Sequence, residues 1–151
     1  MGQIITENGI QYEVIEDFYV YTANFGAIAG SATATVNINV ESDSSFVAQK
    51  LTFSANSATY GVADDKNQTN ITRPAMTISI TDTGSGRQLM NTPMPVHAVC
   101  GSGDLPHILS TPKEFRANST IQVSLTDFGN VGYSNVFVSL IGKKLFKIAR
   151  G

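Results

Sequence analysis

Tryptophan is absent from this chain, cysteine occurs once and histidine twice. With Cys100 alone, an intramolecular disulfide is excluded. Within Val96-His97-Ala98-Val99-Cys100, read as a short strand, the thiol is expected as a small buried hydrophobe. The two histidines, His97 and His107, stand at no metal-ligand spacing with another His, Cys or carboxylate, so no zinc pattern exists and no metal or cofactor is expected. A His97/Cys100 nucleophilic pair would place its members on opposite faces of that strand. Charged residues make up 15% of the chain and the net charge is −2. Nucleic-acid binding needs clustered cations to neutralise phosphates. The one basic cluster, Lys143, Lys144, Lys147 and Arg150, is short enough to read as a solvated edge or tail. No apolar run reaches the roughly 18 residues that a membrane-spanning helix needs. The first residues lack the positive region and apolar core of a secretory leader, so synthesis in a reducing cytoplasm is expected. Carbohydrate-binding surfaces use aromatic platforms. Without Trp, and with Tyr60 and Tyr133 isolated in expected loops, such a surface is not supported, and no small-molecule substrate is expected.

What the chain has is β-pattern. Its 151 residues fit one domain of ordinary size, and a chain that long buries about 70% of its unfolded surface without a disulfide or metal staple. Val36, Ile38 and Val40 alternate with Thr35, Asn37 and Asn39, the period of a strand with one buried face. Glu41 to Ser45 is a turn, and Phe46 to Phe53 a second strand with Val47, Leu51 and Phe53 on one face. Residues 54–72 read as a long polar loop. Met76, Ile78 and Ile80 alternate with Thr77, Ser79 and Thr81, and Thr83-Gly84-Ser85-Gly86 is the turn of a hairpin returning through Leu89 and Met90. Pro93 and Pro95 mark a break, because proline cannot donate to a central ladder. Ile121, Val123 and Leu125 form another alternating set. Asn135 to Ile141 carries Val136, Val138 and Leu140 on one face and Phe137 and Ile141 on the other, which predicts a central strand or one covered by a partner. Ahead of these, residues 1–12 form a polar arm with Asn8-Gly9 as a turn, Tyr12 to Tyr21 a first strand, and Asn24 to Ser31 a loop or linker. Eight or so strands without an amphipathic helix predict an all-β, jelly-roll-like antiparallel sandwich over residues 31–151, with an extended N-terminal arm at 1–30.

Enzyme-like chemistry has one sharp motif. Ile80-Thr81-Asp82-Thr83-Gly84 resembles the active-site loop of retropepsin-like aspartic proteases, and Leu140-Ile141-Gly142 the apolar element that supports it. Such an enzyme needs two carboxylates sharing a proton, so a chain with one motif would have to dimerise. Prolines interrupt the region where the family's flap hairpin should follow. The same residues are also good turn chemistry, with Asp bonding its own backbone and Gly free to adopt positive φ, and the turn is preferred. Gly101-Ser102-Gly103-Asp104 is not followed by the Lys-Ser/Thr of a phosphate loop. Asp64 and Asp65 lack the spacing of a calcium loop. Asn67, Asn70 and Asn118 match a glycosylation acceptor pattern but read as turn residues.

The second half resembles tailed-phage virion proteins that coat or cement the capsid. The resemblance rests on the order of elements: Ile78 through Thr81-Asp82-Thr83-Gly84-Ser85-Gly86-Arg87, then Leu89 to Pro95, Gly101 to Pro106, Leu109 to Pro112, Phe115 to Thr126, and a closing Leu140-Ile141-Gly142-Lys143-Lys144-Leu145-Phe146. It implies a non-enzymatic jelly-roll sandwich bound to the outside of the major capsid protein shell, located on the virion. Hydrophobic arm residues suit the same role, since an extended segment can add as a strand to a neighbour's sheet edge. The expected partner interface is Ile4, Ile5, Phe18, Tyr19, Tyr21, Phe137 and Ile141. The expected partners are the major capsid protein and a second copy of this chain, a homodimer being favoured over a trimer. Neither nucleic acid nor membrane is expected. A phage tail, neck or fibre component that binds a host receptor is the alternative within the class, and a dimeric protease using Asp82 the alternative outside it.

Overall fold

Alternating apolar and polar residues decide this architecture, and each alternating run becomes a strand. The structure, a computed structural model, describes residues 3–57, 74–101, 105–130 and 132–150. In chain order the elements are β1 (Gln3–Glu7), β2 (Ile10–Ile28), β3 (Thr33–Asn39), β4 (Ser45–Ser57), β5 (Met76–Asp82), β6 (Arg87–Gln88) and β7 (Met94–Pro95). A helical turn α1 (Val96–Val99), β8 (His107–Phe115), β9 (Thr120–Asp127) and β10 (Tyr133–Arg150) complete the fold.

Pairing is nested and antiparallel. Strand β2 pairs with β10, β3 with β9, β4 with β8, and β5 with β6. The chain is therefore one long hairpin rolled upon itself, the jelly roll predicted from the strand pattern. One sheet has the order β1-β2-β10-β4-β8; the other has β3-β9-β5-β6, with β7 also on β5. Their inner faces meet in a single core. Met76, Ile78 and Ile80 from β5, Ile121, Val123 and Leu125 from β9, and Val136, Val138 and Leu140 from β10 are all fully buried. At about 25 cal/mol per Å² of apolar surface removed from water, these alternating runs supply the main stabilisation. Strand β10 is central, as its two apolar faces implied.

Two bulges reset the alternation and account for misread faces. Between Ala48 and Lys50 the register of β4 slips against both β8 and β10. The inward residues of β4 are consequently Phe46, Ala48, Leu51, Phe53 and Ala55. Val47, expected inside, points outward with its partners Lys143 and Glu114. A second slip near Asn135, whose φ is 51°, lets Tyr133 and Val136 both face the core although three residues apart.

Other expectations change as well. The Asn24–Ser31 loop is mostly strand, because β10 supplies a hydrogen-bonding partner along β2 as far as Ile28. Only the turn around Ala29–Ala32 remains, closed by the Ala32 N–H donating to the Ala29 carbonyl (3.1 Å). Val96 to Cys100 is a helical turn instead of a strand. Pro95 fixes the entry and the Cys100 N–H donates to the Val96 carbonyl (2.7 Å). Tyr133 is a buried β10 residue, 3% exposed, whose hydroxyl accepts from the Ala75 N–H at 2.8 Å. The C-terminal lysines belong to β10 and are not a tail.

Candidate interaction surface

The two outer faces of the sandwich differ sharply. On the β3-β9-β5 face the outward positions are Thr33, Thr35, Asn37 and Asn39, then Thr120, Gln122, Ser124 and Thr126, then Thr77, Ser79 and Thr81. Hydroxyls pair across its strands, Thr33 with Thr126 and Thr35 with Ser124, both at 2.9 Å. This face is uncharged, polar and at ease in water. The opposite outer face carries Phe18, 76% exposed, beside the cross-strand pair Val20–Ile141. Along the same row Ile141 opposes Lys50, and Lys50 opposes Ile108, which is also well exposed. Phe137 stands further along β10 on this face. Single exposed hydrophobes need no explanation, but Phe18, Val20 and Ile141 adjoin one another here, and patches of that kind are characteristic of interaction surfaces; the polar row Thr22–Ser139–Thr52 separates Phe137 from them.

The N-terminal arm is a hairpin and not a lone extended segment. Asn8 and Gly9, with φ of 53° and 78°, form a two-residue turn of the kind that matches strand twist. They return β1 onto β2 from Gln3↔Val14 to Glu7↔Ile10. Strand β4 leaves β10 at Leu145↔Ser45, whereas β10 and β2 stay paired to Arg150↔Gln11. Residues 3–15 and 146–150 therefore form a three-stranded extension beyond the sandwich. On one of its faces Glu13 lies between Ile4 and Ile148, which are 52% and 49% exposed. Ile5 occupies the other face and is half-buried. From Glu16 onward β2 is an integral strand of the sandwich sheet, paired along its length with β10.

Tyr21, expected at an interface, is instead core. It lies edge-on to Phe46 with ring centroids 4.8 Å apart, and its hydroxyl accepts from the Glu41 N–H at 3.1 Å. Burial raises its pKa above the ordinary tyrosine value, against the lowering effect of that hydrogen bond. Tyr19 is half-buried and supports the base of the extension. The Lys144 ammonium sits 3.8 Å from its ring centroid and donates to Glu41. Burial by itself would lower the Lys144 pKa; the Glu41 hydrogen bond and the neighbouring tyrosines outweigh it and raise the value. Lys143 bonds Glu16 at 2.8 Å and Lys147 bonds Glu7 at 2.9 Å, so these lysines pin the N-terminal strands in place. Sequence spacing does not show this pairing, because it depends on the first and last long strands becoming neighbours.

Asp82 is occupied by its own turn. Its carboxylate accepts from the Gly84 N–H and the Ser85 hydroxyl, each at 3.0 Å, and Lys113 of β8 stands 3.5 Å away. The residue is 4% exposed. Cys100 is buried and its pKa is pushed up to about 12 by burial, which leaves the thiol protonated and unreactive. His97 is exposed on the same helical turn while Cys100 is buried; the opposite-face argument for a strand no longer applies. Among the described residues no three His, Cys, Asp or Glu side chains converge as a metal site would require. Asn118 turns the chain with φ of 64°. Tyr60, Asp64, Asp65, Asn67, Asn70 and the expected loop beyond residue 57 lie outside the described residues.

A cleft of about 510 Å³ opens along the side of the sandwich where β8 faces β6 and α1. Leu89, Met90, Met94, Val99 and Leu109 give it apolar walls, while Arg87, His107 and Lys113 stand at its margin, and among the described residues no Asp or Glu lines it. Sequence reading missed this cleft, which forms only when the jelly roll brings β8 beside the β5–β6 hairpin. Comparison with family models, with curated proteins and with solved structures finds no match to this chain.

Proposed function

We propose that this chain is a non-enzymatic structural virion protein, a cement or decoration protein that binds the major capsid shell of a tailed phage. The observation that carries the reading is the asymmetry of the sandwich. One outer face is a hydroxyl lattice suited to solvent; the other gathers Phe18, Val20, Ile108, Phe137 and Ile141, while the extension beyond the sandwich carries Ile4 and Ile148 on its opposite, core-side face. A freely dispersed monomer gains nothing from that arrangement, whereas a protein laid on a shell buries it. The edge strand β1 offers unpaired backbone groups for strand exchange with a neighbour. A jelly roll hosts many unrelated functions, so the fold alone does not carry the proposal. The bonding of Asp82 to its own turn and to Lys113 favours this reading over a protease, which would need that carboxylate free to face a second one.

The test is sedimentation of the purified protein with phage shells that lack it. Binding at a fixed ratio to the shell protein, together with increased resistance of the shell to heat or low salt, is the expected result. Failure to bind shells would overturn the cement role, and selective binding to tails would move the protein to the tail or neck.

A further inference from the structure

We infer that the side cleft between β8 and β6 receives the β1–β2–β10 extension of a second copy of this chain. The inference rests on reading the extension as an interaction element, but not on the virion assignment. Its basis is chemical complementarity between two surfaces that the fold of one molecule leaves unused.

The extension offers two half-exposed isoleucines, Ile4 and Ile148, with Glu13 in register between them. Within the extension, residues 3–15 contain Glu7 and Glu13 and no Lys or Arg, and the β10 segment adds Lys147 and Arg150. Lys147 takes Glu7 and Lys143 takes Glu16, while Glu13 has no ion-pair or hydrogen-bond partner among the described residues. The cleft offers the converse. Its walls are apolar, through Leu89, Met90, Met94 and Leu109, and among the described residues its charged lining is cationic, with Asp82 standing opposite Arg87 in the β5–β6 pair. Lys113 is taken by Asp82, while Arg87 has no ion-pair partner among the described residues. A carboxylate flanked by isoleucines thus matches a guanidinium flanked by methionine and leucine. Complementary charge fixes register and excludes wrong partners, and the apolar flanks supply the attraction. The volume lies within the range of concave sites that accept a few side chains.

Because extension and cleft belong to the same molecule, two copies that exchange extensions satisfy both contacts and close a twofold dimer.

The test uses the full chain and sedimentation velocity over a concentration series. The wild type is expected to self-associate reversibly. E13R and R87E are each expected to weaken association about tenfold or more, and the double variant E13R/R87E to recover most of it. Circular dichroism of all three should match the wild type; E13R should melt as the wild type does, whereas R87E places a carboxylate opposite Asp82 and should melt lower, so association is compared at temperatures where every variant is folded. As a second readout, oxidation of an I4C/M94C variant should give a disulfide between copies, while native Cys100 stays unreacted. A wild type that remains monomeric at every concentration, single changes without effect, or failure of charge reversal to rescue would each overturn the inference. Shell binding by a strictly monomeric protein would remove this contact and leave the cement reading intact. Self-association that follows the charge swap, in a protein that ignores shells, would do the reverse.

Discussion

Gly142 of β10 packs directly against the backbone of Val47 in β4: a β-carbon built on Gly142 would stand 1.8 Å from the Val47 carbonyl oxygen. The contact lies at the slip in register between Ile141 and Gly142, where β4 carries its extra residue. Here glycine is required by space. The obstruction is backbone, which cannot rotate aside, so Gly142→Ala must open the β10–β4 ladder at the centre of a sheet. Overpacking of a core costs about 1–3 kcal/mol when side chains can yield, and a backbone clash belongs at or above the upper end. Equilibrium urea denaturation should show a midpoint shift of that size. A change within about 0.5 kcal/mol, as for an ordinary surface substitution, would mean the bulge is looser than this contact implies.

The same bulge shows what the sequence could and could not reveal. Runs such as Met76-Thr77-Ile78-Ser79-Ile80 and Ile121-Gln122-Val123-Ser124-Leu125 alternate without interruption, and their buried faces follow from period two alone. Val47 was placed on the wrong face because one inserted residue reverses every later position, and no local signal marks it. The Thr83–Gly86 turn and the two faces of Asn135–Ile141 were legible for the same local reasons. Tyr21 and Tyr133 were misjudged because burial of a tyrosine depends on a distant backbone N–H, from Glu41 and Ala75, reaching its hydroxyl. The candidate surface was half legible. Phe18, Phe137 and Ile141 stand on one outer face, as alternation along β2 and β10 implies, whereas the cleft around Arg87 and Leu109 exists only because the jelly roll brings β8 beside the β5–β6 hairpin.

Lys144 and Glu41 give an unequal pair. The lysine side chain is 6% exposed and the glutamate 53%. Glu41→Gln leaves an ammonium in a largely enclosed place, supported by Tyr19 and weakened hydrogen bonding; Lys144→Met leaves a carboxylate that water can reach. Breaking a fully buried pair costs about 3–5 kcal/mol; with Glu41 half in solvent, about 2 kcal/mol is expected for E41Q. About 1 kcal/mol is expected for K144M, chiefly the lost cation–π contact. The order of the two midpoints in urea is the prediction, and the reverse order would show that the ammonium is better hydrated than its position suggests. Alkaline pH acts in the same direction. The folded pKa of Lys144 is raised, so its stabilisation is complete below the unfolded value and is lost as pH climbs through the folded one. Tyr21, also raised, stays protonated in the fold while the unfolded chain ionises, so it too loses stability upward from about pH 10. Thermal melting should fall steeply above that pH, and K144M should flatten part of the fall.

Asp82 separates a structural carboxylate from a catalytic one. Two turn hydrogen bonds at 3.0 Å and the approach of Lys113 depend on its charge. Hydrogen bonds to charged groups are worth about 1.5–3 kcal/mol, and Asp82→Asn retains one oxygen to accept from Gly84. A loss of about 1–2 kcal/mol is expected, with shell binding unchanged at temperatures where the variant is folded. Peptide cleavage by the wild type that disappears in D82N would overturn the structural reading of this turn.

Phe18 tests the outer face by separating stability from attachment. At 76% exposure it gives the monomer little burial, and its cross-strand partner Lys143 is held by Glu16. Phe18→Ser should therefore alter the unfolding free energy by no more than about 0.5 kcal/mol. If the face lies on a shell, an aromatic side chain near the centre of the contact is the kind of residue whose loss costs about 2 kcal/mol or more of binding. Sedimentation with shells should then show at least about a tenfold weaker association for F18S. Thr35→Ala, on the hydroxyl face, should leave attachment unchanged. Equal binding by F18S and wild type would mean that the apolar face is turned away from the shell. The extension would then have to make the contact, and I4S would be the variant that loses it.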